Sequence, residues 1–180
     1  MRGGTPAGGS SALGGGGLLI LGKVFVVLDD ETFINNESGN GGGVLIAGWN
    51  SNNRPTLQIL SDSRIANNSA QLSDGSICYD YASVYIDGGV VAQNTAMETG
   101  GSVYLHKSCV LDSIVVPGSV TGLFENQAQR GGGIFAIRNS PLTIQGDASA
   151  PFWLAGNGAS ITGGGIEGQG GRAVAPPSIC

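Results

Sequence analysis

Leu123–Ile137 reads LFENQAQRGGGIFAI, and the stretch returns in outline four more times along the 180-residue chain. Each copy sets an apolar residue three positions ahead of an asparagine, then follows the asparagine with a small-residue patch that ends in a β-branched residue. The asparagines are Asn36, Asn68, Asn94, Asn126 and Asn157. Ahead of them stand Phe33, Ile65, Val91, Leu123 and Leu154; behind them come Gly41–Val44, Asp74–Ile77, Gly100–Val103, Gly131–Ile134 and Gly163–Ile166. Successive asparagines lie 32, 26, 32 and 31 residues apart, a loose period within the range of stacked solenoid repeats. A lone match of this kind is weak; five copies in unchanged order decide the fold.

Composition points the same way. The chain has 33 glycines and only 12% charged residues against 41% hydrophobic ones, and each glycine inside a helix costs about 1 kcal/mol relative to alanine. Little or no helix is expected. The runs VFVVL, TLQIL, SVYI, SIVV and LTI are short and β-branched with no sustained helical period, so they read as strands. Each repeat is expected to carry two of them, one after the glycine patch (VLIAG, SVYL, GIFAI) and one before the next asparagine (TLQIL, SVYID, LTIQ), with polar turns between. No hairpin dipeptide folds them back on each other. The chain is therefore expected to coil into a parallel β-helix of about five to six turns, with equivalent residues stacked about 4.8 Å apart. Stacked amides can then donate and accept up and down one column, and glycine supplies the bends that need positive φ or close backbone approach.

Residues 1–17, MRGGTPAGGSSALGGGG, lack the apolar content that would offset the entropy of ordering and read as a flexible leader. Residues 18–171 carry the repeats. Residues 172–180 read as a truncated continuation, and the uncapped coil ends invite end-to-end association.

Eight basic against 13 acidic residues give a net charge of −5, which offers nucleic acid no basic footprint. The longest apolar run, Leu18–Leu28, is broken by Gly22 and Lys23 and falls short of the roughly 20 residues a membrane-spanning helix needs. It also makes a poor signal peptide, given its glycine-rich lead and internal lysine. Three cysteines, Cys78, Cys109 and Cys180, include no CxxC pair and make neither a disulfide framework nor a zinc site. Cys78 and Cys109 lie 16 and 17 residues ahead of the next asparagine. At that shared phase they are either a bridge between adjacent coils or two small buried apolar residues.

The pairing of an apolar-x-x-Asn element with a Gly-Gly-x-aliphatic element resembles the repeats of the chlamydial polymorphic outer membrane proteins, whose pattern couples FxxN to GGA followed by Ile, Leu or Val. FINN at Phe33–Asn36 matches the first element, and IANN, VAQN, LFEN and LAGN match with an aliphatic residue in place of Phe. The second element carries Gly or Ser where that family has Ala: GGGV at Gly41, DGSI at Asp74, GGSV at Gly100, and GGGI at Gly131 and Gly163. The resemblance covers about residues 33–166 and implies a right-handed β-helix displayed at a cell surface, often adhesive.

Chemical motifs are sparse. GLLILGKV at Gly17–Val24 approaches the phosphate loop G-x-x-x-x-G-K-[ST], but Val24 occupies the hydroxyl position and no helix follows to receive a phosphate. A buried strand is the expected reading. Parallel β-helices also house polysaccharide lyases and glycoside hydrolases, which need converging carboxylates or an acidic calcium cluster beside a base. The candidates are Asp29 with Asp30, Asp62 and Asp87, six or seven residues before their asparagines and so able to share one acidic column. Aspartate is equally a favoured turn residue. The Gly-His-Gly and Arg-Ile-Lys marks of pectin-degrading enzymes do not occur, and the single histidine, His106, reads as a surface residue of a loop. Of the two N-x-S sequons, the one at Asn36 falls in the inward column and the one at Asn67 is expected to face outward. The expectation is a non-catalytic extracellular or cell-surface rod, structural and adhesive, without cofactor or metal, whose partner is a surface protein or glycan. A carbohydrate-active β-helix enzyme is the alternative.

Overall fold

The computed structural model describes residues 14–72, 75, 77, 80–113, 117–146, 149–170 and 173–174. The described residues contain strands and turns but no helix, and every pairing between strands is parallel. The chain is a parallel β-helix, a coil of short strands wound around an apolar interior. Four full turns separate the first ladder asparagine from the last, slightly fewer than five to six, because five stacked residues bound only four intervals.

Each turn has four faces. The first is built from the apolar-x-x-Asn elements: Thr32–Ile34, Arg64–Ala66, Val90–Ala92, Thr121–Phe124 and Phe152–Ala155, stacked in that order. The chain bends at the asparagine and makes a second face from Glu37–Ser38, Ser69–Ala70, Thr95–Ala96, Gln127–Arg130 and Gly158–Thr162. The glycine patch turns it again into a third face. There Leu18–Leu21 pairs with Val44–Ala47, and Val103–Leu105, Ile134–Ile137 and Ile166–Gln169 stack above, joined to the coil below by the Ile77–Val103 bridge. The fourth face holds Phe25–Leu28, Thr56–Leu60, Ser83–Asp87, Val110–Ser113, Leu142–Ile144 and Ala173–Val174.

Two strands per repeat were expected, and four are present. The extra ones are the apolar-x-x-Asn segments themselves and the pieces just past the asparagine. Several of these are two or three residues long, too short to display the alternation by which a strand announces itself.

The interior follows from that alternation. In Thr56–Leu60, Leu57 and Ile59 are buried while their neighbours are partly exposed. In register, Leu57, Val84, Leu111 and Leu142 form one inward column. Phe33, Ile65, Val91 and Leu123 form another on the first face, and Leu154 packs against the same core half-buried. Each fully buried Leu or Ile contributes about 1.5–3 kcal/mol, and stacking identical positions lets one coil cover the next.

Positive φ marks the corners. The residue before every ladder asparagine is left-handed: Asn35, Asn67, Gln93, Glu125 and Gly156. So are Gly41, Gly100, Gly131 and Gly163, which open the described glycine patches. The second glycine of the patch has a different reason. A Cβ on Gly42, Gly101 or Gly132 would lie 2.0–2.3 Å from a backbone oxygen of the next coil, so the coils can stack there only without a side chain.

Gly16 and Gly17, expected in the flexible leader, donate backbone hydrogen bonds to Gly41 and Gly43 and so belong to the coil. Residues 1–13 and 175–180 lie outside the described residues. No helix of the described residues is long and apolar enough to cross a membrane.

Candidate functional site

The asparagine column points inward and is bonded end to end. Asn36 Nδ2 donates to Asn68 Oδ1 at 2.8 Å, Asn68 to Asn94 at 2.9 Å, Asn94 to Asn126 at 3.0 Å and Asn126 to Asn157 at 2.9 Å. The backbone N–H of each of these four donors adds a second bond to the same oxygen, at 3.0 Å. The second amide hydrogen of Asn68, Asn94, Asn126 and Asn157 goes back to the carbonyl of Phe33, Ile65, Val91 and Leu123, the apolar residue of the coil below. An interior asparagine thus uses both side-chain N–H donors and both lone pairs of its oxygen. Asn36, at the start of the ladder, has a buried Oδ1 without a hydrogen-bond partner among the described residues. The column is a structural spine rather than a ligand site.

The acidic column resolves differently from its expectation. Asp30 and Asp62 are exposed corner residues with positive φ, one coil apart and in phase, as the Thr32–Arg64 pairing requires. Asp87 is out of phase with them: it pairs with Leu60, is 7% exposed and accepts a 2.7 Å hydrogen bond from Gln58 Nε2. Gly88, with φ of 109°, sits near the corner where a third aspartate was expected. Counted between the in-register positions Leu28, Ile59 and Ile86 and Thr32, Arg64 and Val90, the corners hold three, four and three residues, so Asp87 falls at the end of the fourth-face strand in the phase of Asp29 and not at the corner with Asp30 and Asp62. Asp29 is exposed beside Asp30. Among the described residues no three His, Cys, Asp or Glu side chains gather as a metal site.

Cys78 and Cys180 lie outside the described residues. Cys109 is fully buried and stacks in register over Ala82, itself fully buried. The phosphate-loop look-alike is a strand, Leu18–Leu21, laid in register on Val44–Ala47, but not the buried strand expected: only Ile20 is buried, while Leu19 is 46% and Leu21 36% exposed. Asn67 is exposed and Asn36 is 1% exposed, so the two sequons face as their places in the repeat require.

His106 is not the loop residue the sequence suggests. It forms a parallel bridge with Asp80, and its Nδ1 pairs with the Asp80 carboxylate. Its ring stacks on Tyr104 at 5.8 Å, and Tyr104 stacks on the in-register Phe135 at 5.7 Å. The Arg130 guanidinium lies 5.0 Å from the Phe135 ring centroid and pairs with Glu167 in the next coil. These side chains form a strip along the outer side of the third face. Burial pushes the Glu167 carboxyl up, but hydrogen bonds from Thr162 and Arg130, the Arg130 charge and a bond from Gln169 outweigh it and hold the group below the usual carboxylate range. Arg54 adds a longer brace, donating to the carbonyls of Ala82 and Ser108 in two successive coils.

The Asp80–His106 separation equals the local 26-residue period, so phase alone would have revealed it. Arg130 and Glu167 are 37 residues apart, off any period, and no sequence signal joins them.

No family model, curated protein or solved structure matches this chain.

Proposed function

We propose that the chain is a non-catalytic, extracellular or cell-surface β-helical repeat protein with a structural and adhesive role, of the kind its resemblance to polymorphic outer membrane protein repeats implies. One observation carries this reading. Among the described residues no three His, Cys, Asp or Glu side chains gather at one point, and His106 with Asp80, Arg130 with Glu167 and Asp87 with Gln58 are engaged in pairs between coils. An acid/base pair must converge on one substrate bond within hydrogen-bond reach. A rod with repeating faces instead offers many similar contacts, whose combined avidity can exceed a single contact by about 10²–10⁴.

The test incubates the purified chain with acidic and neutral polysaccharides, with and without calcium, and follows new reducing or unsaturated ends. No turnover, together with cell-surface binding that weakens stepwise as coils are removed, is the expected result. Turnover abolished by Asp62→Ala or Asp87→Ala would replace this reading with a carbohydrate-active enzyme.

A further inference from the structure

The fold treats the asparagines of the two sequons, Asn36-Glu37-Ser38 and Asn67-Asn68-Ser69, in opposite ways. Asn36 belongs to the ladder and is 1% exposed, with its Nδ2 donating to Asn68 Oδ1 at 2.8 Å. Even a Cβ built on Gly17 would lie 2.9 Å from that nitrogen, so no exit is open there for a sugar. Asn67 stands one residue before the next ladder asparagine, at the corner between the first and second faces, with φ of 54°. It is exposed, and its side-chain amide has no hydrogen-bond partner among the described residues. The bend that turns Asn68 inward turns Asn67 out.

The same corner is where the rod accepts a change of side chain. Asn35, Asn67, Gln93, Glu125 and Gly156 succeed one another there, all left-handed. The backbone N–H groups of Asn35, Asn67, Gln93 and Glu125 donate to the carbonyls of Ala66, Ala92, Phe124 and Ala155 in the adjoining coil. Backbone bonds therefore hold the corner, and the exposed side chains of Gln93 and Glu125 bond only sideways to each other. A large polar group on the Asn67 amide leaves all of these backbone bonds in place.

We infer that Asn67 is an N-glycan acceptor and that Asn36 is not. The donor is an oligosaccharide carried on a lipid diphosphate, and the transferase is that of a secretory membrane. Asn67 Nδ2 forms a bond to C1 of the first sugar, the bond from C1 to the phosphate oxygen breaks with its electron pair leaving on the lipid diphosphate, and Nδ2 gives up one proton. The product carries a bulky, solubilising group at the surface. Asn68, the middle residue of the sequon, is buried in the ladder, so transfer precedes closure of the coil, while both sequons are open. The fold then sorts the products: a chain with a sugar on Asn67 completes its ladder, and a chain with a sugar on Asn36 does not. The inference rests on the extracellular reading, because only an exported chain meets the transferase.

The experiment expresses the full chain behind a foreign signal peptide in a eukaryotic secretory host and maps glycopeptides by mass spectrometry, before and after endoglycosidase release, in both the secreted and the retained protein. A glycan at Asn67 is expected in both pools, and one at Asn36 never in the secreted pool. Asn67→Gln and Ser69→Ala should each abolish the Asn67 glycan with β-sheet circular dichroism unchanged, since Gln93 already holds the equivalent corner at φ of 57°; Ser69→Thr should keep it. An unmodified Asn67 in both pools, or secreted, folded protein carrying a glycan at Asn36, would overturn the inference. The foreign signal makes this result independent of the chain's own export, so failure here leaves the adhesive reading standing. Loss of the cell-surface binding described above, with Asn67 still modified, does the reverse.

Discussion

The asparagine that closes each first-face strand does two jobs at once: it ties a coil to its neighbours and satisfies backbone groups at a bend. Asn94→Ala removes the acceptor of the Asn68 backbone and side-chain N–H groups and the donor to Ile65 and Asn126. Orphaning buried partners costs about 1–3 kcal/mol each. Chemical denaturation of Asn94→Ala and Asn126→Ala should show a clear loss of stability, larger than for Asn157→Ala, whose site is only partly buried. The glycines divide in the same way. Gly101→Ala would place a Cβ 2.3 Å from the Gly132 carbonyl oxygen, whereas Gly168→Ala meets nothing within 4 Å. The first should destabilise by about 1–3 kcal/mol, as overpacking does, and the second should leave the unfolding midpoint unchanged. The ladder asparagines were legible because the same residue type recurs in phase. The left-handed residue just before each was not, since Asn, Asn, Gln, Glu and Gly share the site and no single residue type marks it.

At the scale of strands, Ile166–Gln169 docks on Ile134–Ile137 through a parallel ladder and through the Arg130–Glu167 pair. Glu167 is held below its ordinary value of 4.5. A depressed carboxyl contributes stability that is complete above its unfolded value and is lost as pH falls through the folded one. Amide exchange in Ile166–Gln169, corrected for intrinsic rates, should therefore accelerate as pH drops below about 4.5, and Glu167→Gln should remove most of that dependence. Strands of four or five residues with clean alternation, such as Thr56–Leu60, could be read from the chain. Two-residue strands such as Thr95–Ala96 could not, because pairing with coils above and below, rather than their own pattern, makes them strands. The one-residue offset that sets Asp87 in the phase of Asp29 was hidden likewise, since a loose period does not separate six residues from seven before an asparagine.

For the whole molecule, a solenoid's stability is close to a sum of coil and coil-to-coil terms. Excising residues 95–126 removes one 32-residue period and rejoins Asn94 to Gln127 in phase. The shortened chain should keep its β-sheet circular dichroism and lose unfolding m-value in proportion to the surface removed. The irregular period also becomes physical at this scale. The 26-residue turn has neither a loop as long as the one at 48–55 in the turn before it nor the seven residues that separate Val110–Ser113 from Thr121–Phe124 in the turn after it, only the two-residue corner at 88–89. Variation therefore falls in connections while the stacked strands hold their register. The central claim is that register, and spin-label distances test it most directly. Val27, Gln58, Tyr85, Asp112 and Thr143 form one outward column. Labels at position 27 paired in turn with 58, 85, 112 and 143 should give distances that rise by about 4.8 Å at each step, one strand spacing per coil. Distances that plateau, or that fall between 85 and 143, would mean that the chain folds back on itself and would contradict the β-helix.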